Sequence, residues 1–277
     1  GAAGQDRATG DYNAFWAARD LVPLAKNIKA AVLLAHGLND YNVMPSHSVR
    51  VFEELQAHHI TSAIYLHQGG HGGNPPDELL NRWFSHYLYG VDNGVEKEPS
   101  VRYYVMGATG EPDAPGNVWR EASNWPPNHS PTSLYLAADG KLAFNAPSAE
   151  NASTRYTSDP LQPMSIPGRS FPGAQDARTV EQQKEVRVWN TEVLDAPMEI
   201  NGAIDAEVWV QSTAPDGDFV LRVSDVYPDG RSMLLMDYPI RARYREGFET
   251  PVPVRKNKVY SVRIDLWSLA AVFPKGH

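Results

Sequence analysis

The sequence of 277 residues contains no cysteine, which excludes disulfides and cysteine-rich zinc sites. This absence leaves the cellular compartment open between secretion and the cytoplasm. No apolar run approaches the roughly 20 residues that span a bilayer, so we expect no membrane partner. Basic residues are also too few to form a stripe, because 25 lysines and arginines stand against 33 acidic residues, for a net charge of −8. Nucleic acid is therefore not an expected partner.

A Gly-x-Ser-x-Gly motif, which would mark the nucleophile of many serine hydrolases, is missing too. The nearest match is the segment 168–173, with Ser170 at its centre. No apolar strand precedes this segment, only the stretch from Pro163 to Pro167, and Pro172 would lie near the start of any following helix. We interpret the segment as a loop and predict no nucleophile in this chain.

Residues 21–94 have the pattern of an α/β protein. A continuous apolar run from Ala31 to Leu34 predicts a strand covered on both faces. A helix follows from Pro45 to about His58, with Ser46 and Ser48 as candidates for capping. A second strand is expected at Ser62 to His67. A second helix then opens at Pro75-Pro76-Asp77 and closes at Gly90, as a C-terminal glycine does.

From about residue 95 the helical periodicity gives way to short segments that alternate apolar and polar residues. Tyr260, Val262, Ile264 and Leu266, for example, alternate with polar residues, which is typical of a strand with one buried face. Hairpin-type turns are expected at Asp139-Gly140 and at Asp229-Gly230. Many short strands without helices between them predict a β-sandwich or jelly roll, with a long loop over 145–178.

An aspartate after the first strand and a histidine after the second are candidates for catalytic residues. Asp40 follows the strand that ends near Leu34, and His71 comes 31 residues later among four glycines. In α/β-hydrolases the chain order is nucleophile, acid, histidine. In the mechanism of that group, a histidine takes the proton of the serine hydroxyl, and a carboxylate orients the histidine. We therefore predict Asp40 and His71 as catalytic acid and histidine.

Other histidines have less specific interpretations. His36 opens the loop of Asp40, and we expect it to pack or to form hydrogen bonds rather than to catalyse. His67 and His71 stand four residues apart, but the glycines between them argue against a helix and thus against a zinc pair. We predict no metal and no cofactor.

Three segments resemble one family: His36-Gly37-Leu38-Asn39-Asp40-Tyr41-Asn42-Val43, Leu66-His67-Gln68-Gly69-Gly70-His71-Gly72, and Arg82-Trp83-Phe84 with the stretch 87–94. They are similar to the Xaa-Pro dipeptidyl-peptidases, which belong to a wider group with cocaine esterase, glutaryl acylases and α-amino-acid ester hydrolases. The resemblance implies an α/β-hydrolase domain with an inserted helical cap and a C-terminal jelly roll. It also implies that Asp40 and His71 belong to the catalytic triad.

Under this resemblance, residues 1–20 would be the exit from an upstream cap, residues 21–94 the C-terminal part of the hydrolase domain, and residues 95–277 a jelly roll truncated at its C-terminus. The parent would release N-terminal Xaa-Pro dipeptides through an acyl-enzyme. Its upstream hydrolase and cap portion, with the serine, would be the partner of this chain, which alone would be inactive. A homo-oligomer is left open.

Two alternatives remain open at the level of sequence. An esterase or β-lactam acylase of the same group would keep the mechanism and change the substrate. A carbohydrate-binding or assembly module would instead use the strand domain, with exposed aromatic side chains on one concave face. The simpler expectation for the tryptophans is packing in the core or at an interface. Those that could serve such a binding surface are Trp119, Trp125, Trp189, Trp209 and Trp267.

Overall fold

The computed structural model describes residues 2–127, 130–148, 153–164 and 175–277. Its helices are α1 (Ala14–Ala17), α2 (Ser46–Ala57), α3 (Asp77–Tyr89) and α4 (Arg178–Glu181), with 3-10 turns at Ala2–Gln5, Val22–Asn27, Val95–Lys97 and Ala242–Tyr244. The strands are β1 (Val32–Gly37), β2 (Ser62–His67), β3 (Val101–Val105), β4 (Val118–Ala122), β5 (Tyr135–Leu136), β6 (Leu142–Ala143), β7 (Met198–Gln211), β8 (Asp218–Val226), β9 (Ser232–Arg241) and β10 (Val259–Phe273). The helix and strand pattern predicted for residues 31–90 is confirmed.

The first sheet has the order β1-β2-β3-β4. Strands β1, β2 and β3 run parallel, whereas β4 pairs antiparallel with β3. Because β3 and β4 lie beyond residue 95, the sheet crosses the predicted boundary between the hydrolase part and the strand domain, and that boundary stays a prediction. Helix α2 covers this sheet and buries three apolar side chains at helical spacing, Val49, Phe52 and Leu55.

Helix α3 ends as the sequence predicts. Gly90 follows the last helical residue and adopts a left-handed backbone, with φ of 71° and ψ of 22°. Its amide donates to the carbonyl of His86 at 2.9 Å, which satisfies one of the carbonyl groups left open at the end of the helix. The glycine therefore closes α3 at a position where a β-carbon would be unfavourable.

The strand region, which we define as β7 to β10, contains two antiparallel pairs, β7 with β10 and β8 with β9. The expected alternation is confirmed in β10, where Val262, Ile264 and Leu266 are buried and the polar residues between them are exposed. The turns at Asp139-Gly140 and Asp229-Gly230 connect β5 to β6 and β8 to β9. The finer expectation of a jelly-roll topology stays a prediction.

The two regions share one hydrophobic core. Leu38 and Phe52 from the α/β part belong to the same buried cluster as Met236 and Leu266 from the strand region. A backbone link completes the junction, because Met106 donates to Ala270 at 2.9 Å and accepts from Val272 at 2.8 Å. Strand β3 is thereby continued into a contact with β10. The strand region thus packs against the residues that follow β1 and β3.

Candidate active site

Asp40 lies in the loop that follows β1, which we call the acid loop (residues 38–45). Its side chain is 4% exposed, and its Oδ1 atom accepts hydrogen bonds from the backbone amides of Asn42 and Val43, both at 2.9 Å. Burial raises the pKa of Asp40, but the hydrogen bonds from Val43, His71 and Asn42 outweigh it, and the pKa lies below its ordinary value. The carboxylate is therefore ionised at neutral pH.

His71 lies in the loop that follows β2, the histidine loop (residues 68–73). Its Nδ1 atom is 3.0 Å from Oδ2 of Asp40. Because an ionised carboxylate only accepts, Nδ1 carries the proton, and Nε2 of the neutral ring is left with a lone pair. The side chain is 57% exposed, and Nε2 makes no hydrogen bond within the described part of the chain. The imidazole is thus oriented on one side and open on the other.

The parallel pairing of β1 and β2 brings these two loops together, since both strands end at the same edge of the sheet. The register ends with Gly37 opposite His67. Beyond it the amide of Leu38 donates to the carbonyl of His67 at 2.7 Å, and the amide of Asn39 donates to Gly69 at 3.1 Å. The two loops are therefore tied by backbone hydrogen bonds next to the Asp40–His71 pair.

Three glycines permit this close approach. A β-carbon at Gly37 would lie 2.2 Å from the carbonyl oxygen of Gly69, so no larger residue fits there without movement of the backbone. After His71 the chain turns through Gly72 and Gly73, whose φ angles of 91° and 99° are rare for residues with a side chain. Glycine is thus required at position 37 for steric reasons, and at positions 72 and 73 because of the backbone conformation.

His36 supports the acid loop from the end of β1, as its prediction as a hydrogen-bonding residue anticipates. Its Nε2 donates to the carbonyl of Val43 at 2.7 Å and lies 3.3 Å from Oδ2 of Asp40. Its Nδ1 is 2.6 Å from the hydroxyl of Ser48. Both ring nitrogens are therefore occupied by the loop and by helix α2.

The predicted capping of α2 by Ser46 or Ser48 is wrong. The helix begins at Ser46 itself, the preceding Pro45 occupies the N-cap position, and no side chain caps the helix. Ser46 is buried, and the hydroxyl of Ser48 is used by His36 instead. The sequence reasoning did not consider that the imidazole of His36 could form a hydrogen bond with the hydroxyl of Ser48.

His67 has a structural role in the histidine loop. Its Nδ1 accepts a hydrogen bond from the amide of Gly69 at 3.0 Å, and burial, followed by repulsion from His36, lowers its pKa. Within the described ranges no three histidine, aspartate or glutamate side chains are arranged to hold a metal ion. Likewise, no helix in that part is long and apolar enough to cross a membrane.

The candidate serine of the sequence, Ser170, lies outside the described residues, as does the whole segment 168–173. No serine hydroxyl of the described residues is hydrogen-bonded to His71. The geometry therefore provides an ionised acid and an oriented base with an open nitrogen. In chemical terms it can accept a proton at Nε2 and stabilise the resulting imidazolium.

The amides of Asn42 and Val43 were missed by sequence reasoning, although they hold the carboxylate. Aspartate commonly accepts from the backbone two residues further on, and the segment from Asp40 to Asn42 is such an Asx-turn. The order Asp-Tyr-Asn after a strand could have indicated it. Tyr41 was also missed, since its partner is distant in the sequence.

Residues 93–277 match the model of the X-Pro dipeptidyl-peptidase C-terminal non-catalytic domain, which is more than half of the chain. Residues 2–73 match the model of the X-Pro dipeptidyl-peptidase S15 family. The chain belongs to the X-Pro dipeptidyl-peptidase family. The S15 match contains both Asp40 and His71.

Individual relatives place this family member within a group of hydrolases. The cocaine esterase of a Rhodococcus strain is 32% identical over 211 residues, which are 70% of this chain and 35% of the esterase. The Xaa-Pro dipeptidyl-peptidase of Lactiplantibacillus plantarum is 34% identical over 129 residues, which are 44% of this chain and 15% of the peptidase. The solved structure of an aminopeptidase from a Thaumarchaeota archaeon superposes with a TM-score of 0.79 at 25% identity, covering 97% of this chain and 49% of that one. The chain therefore spans half of these relatives or less.

Proposed function

We propose that this chain carries the acid and the histidine of a serine hydrolase that releases N-terminal Xaa-Pro dipeptides. The observation that supports this most is the 3.0 Å contact between Nδ1 of His71 and Oδ2 of Asp40, with Nε2 open to solvent. Membership in the X-Pro dipeptidyl-peptidase family supports this substrate class. The nucleophilic serine would come from the upstream hydrolase portion of the same protein.

In the proposed reaction the serine hydroxyl attacks the carbonyl carbon of the proline residue, while Nε2 of His71 takes the hydroxyl proton. The tetrahedral intermediate collapses as the imidazolium gives that proton to the leaving amine, which leaves an acyl-enzyme. Water then attacks the ester, again with His71 as base, and the dipeptide is released. Asp40 stays ionised throughout, holds Nδ1–H and stabilises the imidazolium.

The exposed edge of the first sheet is an argument for a further, upstream portion of the hydrolase domain. Strand β1 lies at this edge and has no second strand partner within the described residues. Its apolar residues Leu33 and Leu34 are only partly buried, whereas Ile64 and Leu66 in β2 are 1% and 0% exposed. Parallel strands are normally covered on both faces, and an exposed strand edge can pair with a further strand. We propose that the upstream portion adds a parallel strand to β1, and that the strand region completes a jelly roll.

An ester is the second candidate substrate, favoured by the cocaine esterase relative, which matches more of this chain than the dipeptidyl-peptidase described above. A serine, a histidine and an aspartate would serve ester and amide substrates alike, so the difference would lie in the leaving group and in the pocket. The pocket for the amino end of a peptide would belong to the upstream portion.

The packing of the tryptophans does not favour a carbohydrate-binding module. Trp125 is buried and donates to Ser268, Trp119 stacks on Tyr65 with ring centroids 4.6 Å apart, and Trp189 donates to a backbone carbonyl. Of the five named above, Trp209 is the most exposed residue, at 66%, followed by Trp119 at 44%. Trp119 already stacks on Tyr65, so these two side chains are weak support for a platform that binds a sugar chain.

The test compares this chain with the longer parent on an Xaa-Pro chromogenic amide. The parent should turn the amide over, and His71→Ala should abolish that activity, whereas the isolated chain should be inactive. Turnover by the isolated chain that disappears in Ser170→Ala would overturn the assignment of the nucleophile. A kcat/KM for simple esters far above that for the Xaa-Pro amide would favour the esterase.

A further inference from the structure

The acid loop is attached to the strand region through the residue next to the catalytic carboxylate. Tyr41 directly follows Asp40, and its hydroxyl donates to the backbone carbonyl of Leu235 in β9 at 2.8 Å. Burial, with the nearby carboxylate of Asp237 adding to it, raises the pKa of Tyr41 well above its ordinary value. The hydroxyl therefore stays protonated, and so remains a donor, at neutral pH.

The acceptor of this bond lies between two paired residues of β9. Leu234 and Met236 are buried and pair with Ser224 and Val223 of β8, whereas Leu235 falls at the irregularity between these pairs and has no pairing partner in β8. A second contact joins the same two parts of the molecule, because the guanidinium of Arg50 in α2 lies 4.1 Å from the ring centroid of Trp267 in β10. The strand region thus contacts both the acid loop and the helix that follows it.

The other contacts of Asp40 lie within the α/β part and do not reach the strand region. The amides of Asn42 and Val43 and the ring of His36 belong to the loop or to the strand that leads into it. Before Asp40, the amide of Asn39 connects the loop to the histidine loop. After it, Tyr41 makes the connection to the strand region.

We infer that Tyr41 is a positioning residue, which uses the carbonyl of Leu235 to hold the acid loop where Asp40 meets His71. The C-terminal domain, described in the family as non-catalytic, would then take part in the geometry of the catalytic pair. The inference rests on the proposed role of Asp40 as the triad acid. Its effect on chemistry would follow from orientation, since a displacement of about 1 Å at a catalytic group can lower a rate about 100-fold.

The test reads the tautomer of His71 in the chain itself by nitrogen-15 NMR of the imidazole, at a pH where the ring is neutral. In the unmodified chain, Nδ1 should be the protonated nitrogen, although histidine in water prefers Nε2–H. Tyr41→Phe keeps the partly buried ring and removes the hydroxyl. It should lower the ratio of the Nδ1–H to the Nε2–H tautomer by up to about tenfold, the equivalent of one neutral hydrogen bond. Tyr260→Phe is the matched control, because it removes a hydroxyl that accepts from Arg255, away from the acid loop.

Asp40→Asn separates this inference from the proposed function. If Asp40→Asn changes the tautomer and Tyr41→Phe does not, the positioning role is wrong and the catalytic pair stands. If neither changes it, the Asp40–His71 pair is absent in solution and both proposals fail. A further measurement needs no variant: the amides of Asn42 and Val43 should exchange with deuterium as slowly as those of β9. Much faster exchange would show that the loop opens independently of the strand region, against the inference.

Discussion

Replacing Gly37 by alanine is a direct test of how the two loops are brought together. The new β-carbon would lie 2.2 Å from the carbonyl oxygen of Gly69 and 2.5 Å from that of Gly70, where ordinary contact begins at 3.4 Å. Both clashing oxygens belong to the backbone of the histidine loop, so rotation of a side chain cannot relieve the contact. The histidine loop must therefore retreat by about 1 Å, which would stretch the 3.1 Å hydrogen bond from the amide of Asn39 to Gly69.

The expected loss combines two effects. Overpacking costs about 1–3 kcal/mol, and the weakened hydrogen bond costs about 1 kcal/mol more. For a chain of this size the sum lowers Tm by about 4–8 °C, measured by circular dichroism. Gly217→Ala is the matched control, because a β-carbon there meets nothing within 4 Å. If Gly37→Ala melts within 1 °C of Gly217→Ala, a threshold well below the expected shift, the steric account of the loops is refuted.

The remaining predictions concern the same site. The folded pKa of Asp40 is depressed, so its ionised form stabilises the fold above the unfolded pKa of about 3.9, and this stabilisation is lost as the pH falls through the folded value. Urea titrations from pH 5 to pH 2 should therefore show a shallower loss of unfolding free energy in Asp40→Asn than in the unmodified chain; equal slopes would contradict it. His36→Ala should lower the unfolding free energy by about 1–3 kcal/mol, since it leaves the partly buried hydroxyl of Ser48 and the carbonyl of Val43 without their partner. His71→Ala, at an exposed ring, should lower it less, and the opposite order in chemical denaturation would show that the two histidines have been assigned the wrong roles.

The elements around the site could be predicted from sequence because local signals agree there. A continuous apolar run gave β1, helical spacing of Val49, Phe52 and Leu55 gave α2, and Gly90 gave the end of α3. The meeting of Asp40 and His71 followed from parallel strands whose ends lie side by side. Each of these inferences depends on residues that are close in sequence or on one simple rule of sheet geometry.

The contacts that could not be predicted are those that join distant segments. Nothing near Tyr41 indicates a partner 194 residues away in the sequence. The junction of Met106 with Ala270 likewise depends on how the two regions pack. Strand β3 belongs to the first sheet through its pairing with β2, although its alternating pattern resembles that of the strand region. Ser46 and Ser48 were misassigned for a related reason, since the choice between a cap and an imidazole partner is made by tertiary contacts.

The most direct test of the central claim is kcat/KM of the proposed full-length enzyme, which joins this chain to its proposed upstream portion, on an Xaa-Pro chromogenic amide, for the unmodified enzyme and for His71→Ala. If His71 is the general base held by Asp40, the substitution should lower kcat/KM by about 10⁴-fold or more, with the enzyme still folded. A loss of less than about tenfold, equivalent to only 1.4 kcal/mol of transition-state stabilisation, would contradict the assignment of this pair as the catalytic acid and base.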